Sequence, residues 1–242
     1  MHIRPVSKYG DWVDHLNRKI SLPIAKMLVK VRVSANAITL FRSALFFFAM
    51  FFYLKAEVFF IVLAGIFIEL SDILDYVDGD VARISSKTSI FGEWLEYFEN
   101  NFQGSSGSLL GLAIMLGLFF KTNDVSVFAI LFFLVFGFHM KKALIHIPVK
   151  SSNWSFNLME RSSFGEFKEE INRNILFKLG KVFLWISTRD INVLFLVSIL
   201  FPVFYKYSGL SLLYWTMICF ALAHNLTWLG IAFFQYKAVR HG

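Results

Sequence analysis

The sequence predicts an all-α integral membrane protein with six transmembrane helices and an N-terminal amphipathic helix at the membrane interface. The first observation is composition: of 242 residues, 57% are hydrophobic and 17% are charged, whereas soluble chains carry about 25% charged residues. The second is a series of six apolar runs, each long enough to cross a hydrocarbon core of about 30 Å as a helix. A soluble enzyme, a disordered chain and a disulfide scaffold, which a single cysteine cannot build, are therefore disfavoured.

The first 37 residues predict a helix that lies in the cytoplasmic interface. Apolar residues recur there at helical spacing among basic ones, which is typical of an interfacial amphipathic helix, and Pro23 is where such a helix would bend. The apolar residues are Trp12, Val13, Leu16, Ile20, Ile24, Met27 and Leu28. A helix packed only on protein is the alternative. The polar, mixed character of residues 1–30 is not that of a cleavable signal peptide.

The rest of the chain predicts a six-helix bundle over residues 38–236. The second and third apolar runs carry polar residues that lipid would not accept, so these runs need a protein interior to face. The predicted spans are 38–54, 57–80, 92–120, 124–146, 190–206 and 209–236. No repeat or linker divides the sequence, and residues 1–242 are therefore expected to form one domain.

The distribution of positive charge predicts the orientation in the membrane. Of the 24 Lys and Arg residues, only Lys55, Lys121 and Lys206 fall in the short loops, and the others lie on the side of the long loops. By the positive-inside rule, both termini are expected in the cytoplasm, with the protein in a cell or inner membrane. Topology and attraction to anionic lipid headgroups then explain the net charge of +7, and no nucleic-acid partner is expected.

The second run ends in an acidic segment that predicts a metal site. If the helix continues through it, Asp75, Asp78, Gly79 and Ala82 fall at i, i+3, i+4 and i+7, which is one helical face. Two neighbouring carboxylates are costly near a membrane unless a cation compensates them. Because carboxylate oxygens suit hard divalent ions, Mg²⁺ or Mn²⁺ is the expected cation.

The sequence also predicts roles for three neighbours of this face, Asp72, Asp80 and Arg83. Asp72, one turn earlier, could share the face, whereas Asp80 points elsewhere and is expected in solvent. Arg83 supplies a forked cation suited to phosphate. The small side chains of Gly79 and Ala82 would let a ligand approach the backbone.

A second group of polar residues follows at a spacing of four. Gly92, Glu96 and Asn100 share one helical face, and Glu96 would add a third carboxylate if that face packs against the first. Glu93 and Glu99 flank the group. The alternative is that these acids cap helix ends and pair with neighbouring basic residues.

The segment resembles the signature of the CDP-alcohol phosphotransferase (phosphatidyltransferase) family, D-x2-D-G-x2-A-R-x8-G-x3-D-x3-D. Six fixed positions match at the correct offsets. They are Asp75, Asp78, Gly79, Ala82, Arg83 and Gly92. The last two acids of the signature are replaced by Glu96 and Asn100. Upstream, residues 34–39 resemble the T-P-N-x-[IV]-T pattern that precedes the family's first span, without its proline.

The resemblance implies a homodimeric, six-helix membrane enzyme of phospholipid or related polar-lipid synthesis. It would take a CDP-alcohol donor and a lipid, polar alcohol or phosphate acceptor, release CMP and leave a phosphodiester. Two divalent ions, Mg²⁺ or Mn²⁺, would lie in a site that opens to the cytoplasm. Carried over by position, the metal ligands are Asp75, Asp78, Glu96 and Asn100, and the residues that border the CDP are Gly79, Ala82, Arg83 and Gly92.

The replacement at Asn100 bears on catalysis, because an amide can ligate a metal but cannot act as the general base expected there. The residues expected at the reaction are Asn100, Glu96 and Glu99. Three explanations stay open: Glu99 or Glu93 supplies the base, the acceptor is anionic and needs none, or the protein binds a CDP-linked ligand without turnover. A non-catalytic binding protein and an ion-coupled transporter are therefore the alternative functions.

Polar residues elsewhere in the spans are expected to be structural. His224 should hydrogen-bond between helices, and the small residues at 104–108 should allow close helix packing, with a hydroxyl-lined acceptor pocket as the alternative. Lys141, Arg189 and Asp190 lie at predicted cytoplasmic helix ends. They are expected to cap those ends, and contact with an anionic acceptor is the alternative.

Overall fold

The computed structural model describes residues 12–86, 90–102, 105–145, 149–150, 155–156 and 175–241. Within these ranges the chain is helical apart from one short antiparallel pair of strands. The helices are α1 (Trp12–Lys30), α2 (Ala35–Lys55), α3 (Val58–Ser85), α4 (Ile90–Phe102), α5 (Leu109–Thr122), α6 (Ser126–Ile145), α7 (Ile175–Thr188), α8 (Asp190–Ser208) and α9 (Ser211–His241). The strands are β1 (Val149–Lys150) and β2 (Ser155–Phe156), with Val149 paired to Phe156.

Helix α3 is the centre of the fold, because α1, α2 and α8 all pack against it. Ser34 caps the start of α2, where its hydroxyl accepts a hydrogen bond from the Ala37 amide at 3.3 Å. The turn from α2 to α3 passes through Ala56, which has a positive φ of 48°. Gly65 allows α8 to approach α3, since a Cβ at this position would collide with the Ser198 side chain. With 28 residues, α3 is about 42 Å long, longer than a hydrocarbon core of about 30 Å.

Helix α1 forms where the sequence predicts an N-terminal helix, and it continues through Pro23. One face of α1 is buried against the bundle. Its buried residues are Val13, Asp14, Asn17, Ser21 and Ala25. The remaining surface keeps large apolar side chains exposed. These are Trp12, Leu16, Ile20, Leu22 and Met27. A small apolar cluster of Ala25, Ile38, Val77 and Val81 fixes α1 and α2 beside the acidic half of α3.

The prediction of one helix over residues 92–120 is wrong, because this run forms two helices, α4 and α5, with a turn at residues 105–108. Ser105 and Ser106 are buried in this turn. Serine side chains compete with the helical backbone for hydrogen bonds, and both hydroxyls here donate to the carboxylate of Asp190 in α8. A buried acceptor in another helix therefore stabilises the break.

Among the residues that the structure describes, four helical segments are long and apolar enough to cross a membrane. They are Ala35–Lys55, Ser126–Leu144, Asp190–Ser208 and Ser211–Phe233. Helix α5 is apolar but has 14 residues, and α3 carries acidic residues along its second half. Apart from the short strand pair, the part of the chain that the structure describes thus has the helical architecture of an integral membrane protein. Its main apolar core lies between α2, α3, α5, α6, α8 and α9.

The turns between α2 and α3 and between α5 and α6 lie at the same end of the bundle. Lys121 at the end of α5 pairs with Glu57 at the start of α3, at 3.0 Å. Asp124 caps the start of α6, where its Oδ1 accepts a hydrogen bond from the Ser126 amide at 2.9 Å. Hydrogen bonds from Ser126 hold the pKa of Asp124 below its usual value. This end is opposite the acidic half of α3.

Candidate active site

The second half of α3 places two signature carboxylates beside α2. Asp75 Oδ1 lies 2.6 Å from Arg42 Nη1, and Asp78 Oδ2 lies 3.1 Å from Arg42 Nε. Thr39, one turn before Arg42, donates its hydroxyl to Asp78 Oδ2 at 2.8 Å. One guanidinium therefore joins the two carboxylates, and α2 supplies two groups that orient Asp78.

The two carboxylates differ in exposure. The side chain of Asp75 is 49% exposed, whereas those of Asp78 and Arg42 are 14% and 11% exposed. A largely buried carboxylate needs a compensating cation, and Arg42 provides one for Asp78. A ligand would therefore reach this pair from the side of Asp75.

Asp72 is held by two amides from neighbouring helices. Its Oδ2 accepts hydrogen bonds from Asn17 of α1 at 3.2 Å and from Asn192 of α8 at 3.1 Å. Asn192 also donates to Glu69, at 3.3 Å. These contacts give Asp72 a role in joining α1 and α8 to α3, one turn before Asp75.

Asp80 is buried, so the expectation that it points into solvent is wrong. Its Oδ2 accepts a hydrogen bond from Ser21 at 2.7 Å, and its Oδ1 lies 2.6 Å from Arg83 Nη2 and 3.8 Å from Arg18 Nη1. The reason is that α1 covers this side of α3. The covering helix brings the hydroxyl and one of the two cations that compensate the carboxylate.

Arg83 lies over Gly79 on the surface of α3. A Cβ at Gly79 would lie 3.2 Å from Arg83 Nη2, so the glycine leaves room for the guanidinium. The side chain of Arg83 is 41% exposed while it pairs with Asp80, and Ala82 beside it is half-buried. The cation predicted to meet phosphate is thus open to solvent and anchored by an acid of the same helix.

Helix α4 carries the second half of the signature. Gly92, Glu96 and Asn100 follow at one-turn spacing along α4, and α4 packs against α2. The side chains of Glu93, Glu96, Glu99 and Asn100 lie outside the part of the chain that the structure describes. Among the described side chains, no group of three or more His, Cys, Asp or Glu residues is arranged to hold a metal ion.

The donor atoms that are described fit a hard divalent cation. Asp75 and Asp78 offer carboxylate oxygens one turn apart, and Thr39 places a hydroxyl beside them. Oxygen ligands of this kind suit Mg²⁺ and Mn²⁺. Two carboxylates are fewer than the ligands such an ion takes, which leaves positions for a group from α4, for water and for phosphate oxygens.

Sequence reasoning missed Arg42 as a member of this site and counted it only as a charge that sets topology. The signal was available, because Thr39 and Arg42 are three residues apart in α2 and so share a face. For Arg189, the sequence predicts capping of a helix end, with contact to an anionic acceptor as the alternative. In the structure its guanidinium lies 2.9 Å from Asp14 Oδ2 of α1 and donates to the Tyr76 hydroxyl of α3 at 3.3 Å.

The fold and this site define an all-helical integral membrane protein with a carboxylate pair on the polar half of a long central helix. The family model described as CDP-alcohol phosphatidyltransferase matches residues 32–136, which include every signature residue named above. The chain is also similar to a curated protein of Archaeoglobus fulgidus, the bifunctional IPC transferase and DIPP synthase, with 37% identity over 115 residues. Both matches support the family that the signature indicates.

The two matches cover only part of each chain. The similarity to the archaeal protein extends over 48% of this chain and over 22% of the length of that relative. Helices α7, α8 and α9 lie beyond residue 136, where the family match ends. The family match therefore rests on α2 to α5 and the first half of α6, a stretch that carries both halves of the signature.

Proposed function

We propose that the protein transfers a substituted phosphate group from a CDP-alcohol to an acceptor in phospholipid or related polar-lipid synthesis. The observation that carries the proposal is the pair of carboxylates, Asp75 and Asp78, joined by Arg42 inside the segment that the family model matches. The archaeal relative is by name a transferase and a synthase, which supports the same class of reaction.

The reaction exchanges one phosphorus–oxygen bond for another. An acceptor oxygen forms a bond to the phosphorus that carries the alcohol, the bond from that phosphorus to the bridging oxygen breaks, and CMP leaves with the electron pair. A hydroxyl acceptor also loses its proton, whereas an anionic phosphate acceptor has none to lose. The product is a phosphodiester or, with a phosphate acceptor, a phosphoanhydride.

The residues of the two signature halves would divide the work of binding. Asp75, Asp78, Glu96 and Asn100 would hold two Mg²⁺ or Mn²⁺ ions, and Gly79, Ala82, Arg83 and Gly92 would border the CDP. Bound divalent ions neutralise a pyrophosphate and stabilise its leaving oxygen. The exposed guanidinium of Arg83 would contact phosphate oxygens, while Arg42 and Thr39 keep Asp78 in place.

The architecture is proposed to follow the same resemblance. Helix α3 and the broken pair of α4 and α5 would complete six spans with the four apolar segments. The exposed apolar side chains of α1 support its place in the membrane interface. We infer that both termini and the carboxylate pair face the cytoplasm and that the enzyme is a homodimer.

The proposal is tested by measuring CMP release from the detergent-purified protein. The assay supplies CDP-alcohols of several headgroups, hydroxyl and phosphate acceptors, and Mg²⁺ or Mn²⁺. Turnover with at least one pair is expected, and Asp78→Asn should reduce it by more than the roughly 10- to 100-fold that loss of an outer-shell partner costs. Asp124→Asn is the matched control, because Asn also caps helices and Asp124 lies at the opposite end of the bundle.

The same assay decides what replaces the general base. Near-complete loss of CMP release in either Glu99→Gln or Glu93→Gln would identify that residue as the base. Full activity in both variants, with turnover only of phosphate acceptors, would show that no base is needed. Binding of CDP without CMP release from any pair would instead support the non-catalytic function that Asn100 suggests.

A further inference from the structure

A buried polar network surrounds the junction between α7 and α8, at residues 187–192. Lys141 of α6 donates to the Ser187 carbonyl at 2.5 Å, and the Ser187 hydroxyl lies 3.1 Å from that of Thr227 in α9. Lys141 and Ser187 are both buried. These hydrogen bonds fix the end of α7 to α6 and α9, because polar groups buried in an apolar interior need hydrogen-bond partners.

Asp190 is the residue of this junction that reaches the break between α4 and α5. Its Oδ2 accepts hydrogen bonds from the Ser105 hydroxyl at 2.6 Å, the Ser106 hydroxyl at 2.6 Å and the Ser106 amide at 2.8 Å. Its Oδ1 accepts one from the Ile191 amide at 2.9 Å. Asp190 as a whole residue is 4% exposed. These hydrogen bonds therefore offset the cost of burying its carboxylate.

The same junction also contacts the acidic half of α3. Arg189 donates to the Tyr76 hydroxyl at 3.3 Å, and Asn192 donates to Asp72 Oδ2 at 3.1 Å. Tyr76 directly follows Asp75 in the sequence, and Asp72 lies one turn before Asp75. Three residues between positions 189 and 192 therefore contact these two elements: Asp190 contacts the break that follows α4, and Arg189 and Asn192 contact the helix that carries the carboxylate pair.

The arrangement around Asp190 is not that of a nucleophilic triad. In a triad, serine and carboxylate lie on opposite nitrogens of the histidine ring. Here Ser106 Oγ and Asp190 Oδ2 both lie on the side of His224 Nε2, at 3.1 and 3.5 Å. His224 Nδ1 is buried and has no hydrogen-bond partner among the described residues. The hydrogen bonds to Asp190 therefore hold helices together, which is also the structural role that the sequence predicts for His224.

We propose that Asp190 is a positioning residue for the metal site, because it ties the segment that follows α4 to the junction that braces α3. The proposal rests on the proposed function, in which Glu96 and Asn100 of α4 complete the ligands offered by Asp75 and Asp78. Asn100 lies five positions before Ser105, so a shift of the break would move the end of α4 relative to α3. Asp190 thereby sets how well the two halves of the signature bind one ion together.

The test measures the Mn²⁺ dissociation constant of the full chain in detergent, by titration calorimetry or by the electron paramagnetic resonance of free Mn²⁺. Asp190→Asn should raise that constant by up to about 10-fold, the lower end of the effect of losing an outer-shell partner, because Asp190 acts on the ligands only through the segment that follows α4. Ser106→Ala, which keeps the carboxylate and one hydroxyl donor, should raise it less. Loss of folded protein alone would lower the number of Mn²⁺ sites per chain and leave the dissociation constant of the remaining sites unchanged, so a raised constant reports positioning.

A stability control separates positioning from weakened folding. Tyr53→Phe removes a buried hydroxyl that lies 2.6 Å from Ser198 Oγ, in the apolar core rather than at the junction, and it should leave the constant unchanged. If Asp190→Asn does not fold, Ser106→Ala decides alone. If Asp190→Asn and Ser106→Ala both bind Mn²⁺ with the wild-type dissociation constant, the inference is overturned and the proposed function stands. If the wild-type protein binds no Mn²⁺, both are contradicted.

Discussion

Arg42 is the residue that most changes the interpretation of the acidic face. Its guanidinium bridges Asp75 and Asp78 and is 11% exposed, so it compensates two acids that would otherwise repel each other. A divalent ion bound to the same two carboxylates would also compensate their negative charge. The protein therefore contains a resident positive charge whose loss a metal ion should be able to offset.

Replacing Arg42 should make the fold depend on metal. Arg42→Gln leaves two carboxylates uncompensated and should cost up to about 3 kcal/mol of unfolding free energy in a chelator. Mg²⁺ or Mn²⁺ should restore a larger part of that loss than it adds to the wild type. Thermal unfolding in detergent measures both shifts. Lys121→Gln, which removes an exposed partner of Glu57, should show no such dependence, and an equal metal shift in Arg42→Gln and wild type would refute the account.

At the residue scale, the sequence predicts the signature positions but not their partners. Asp75 and Asp78 are found from helical spacing, because that spacing is a property of one helix. The burial of Asp80 cannot be found in this way, because it depends on α1. The role of Arg42 cannot either, because it depends on how α2 packs against α3. Contacts between helices distant in sequence leave no local pattern.

Among the elements, the break between α4 and α5 is the feature that apolar periodicity does not predict. Five predicted runs each correspond to one helix, α2, α3, α6, α8 and α9, with ends that differ by a few residues. The third run does not, because the buried carboxylate of Asp190 competes for the serines at 105 and 106. The expected close packing is present in the same turn, where Gly107 lies against Phe138.

Two glycine substitutions should have opposite effects on stability. A Cβ at Gly107 would lie 2.6 Å from Phe138 Cγ and 3.2 Å from the Leu134 carbonyl oxygen, so Gly107→Ala should destabilise the protein by about 1 to 3 kcal/mol through overpacking. At Gly230 within α9 nothing lies within 4 Å of such a Cβ, and Gly230→Ala should stabilise by up to about 1 kcal/mol. Comparing unfolding temperatures tests this, and no loss in Gly107→Ala would contradict the described packing.

On the scale of the whole molecule, charge and the ion pair between Lys121 and Glu57 place two turns at one end of the bundle. Composition and run lengths predict an all-helical membrane protein, and the described helices agree with that class. Run lengths end the second span at residue 80, whereas α3 continues to Ser85; the acidic half of this helix is predicted from helical spacing and not from apolar content. The orientation follows from the positive-inside rule alone and so requires its own test.

Thiol labelling should show which end faces outward. In a background with Cys219 replaced by Ser, single cysteines at the exposed positions Lys55 and Lys121 should react with an impermeant reagent in intact cells. A cysteine at Lys30, at the end of α1, should react only after the membrane is permeabilised. Labelling of Lys30→Cys from outside, with protection of the other two, would reverse the proposed topology.

Asp75 and Asp78 are proposed to form part of a metal-dependent site for a CDP-linked ligand. The most direct measurement is thermal unfolding of the detergent-purified protein with Mg²⁺ or Mn²⁺, with and without CDP and CMP, beside Asp78→Asn and Asp124→Asn. A ligand at 100 times its dissociation constant should stabilise the folded protein by about 2.7 kcal/mol. We expect that shift with metal and nucleotide together in wild type and Asp124→Asn, and its loss in Asp78→Asn. No nucleotide shift with either ion, or an unchanged shift in Asp78→Asn, would contradict the account.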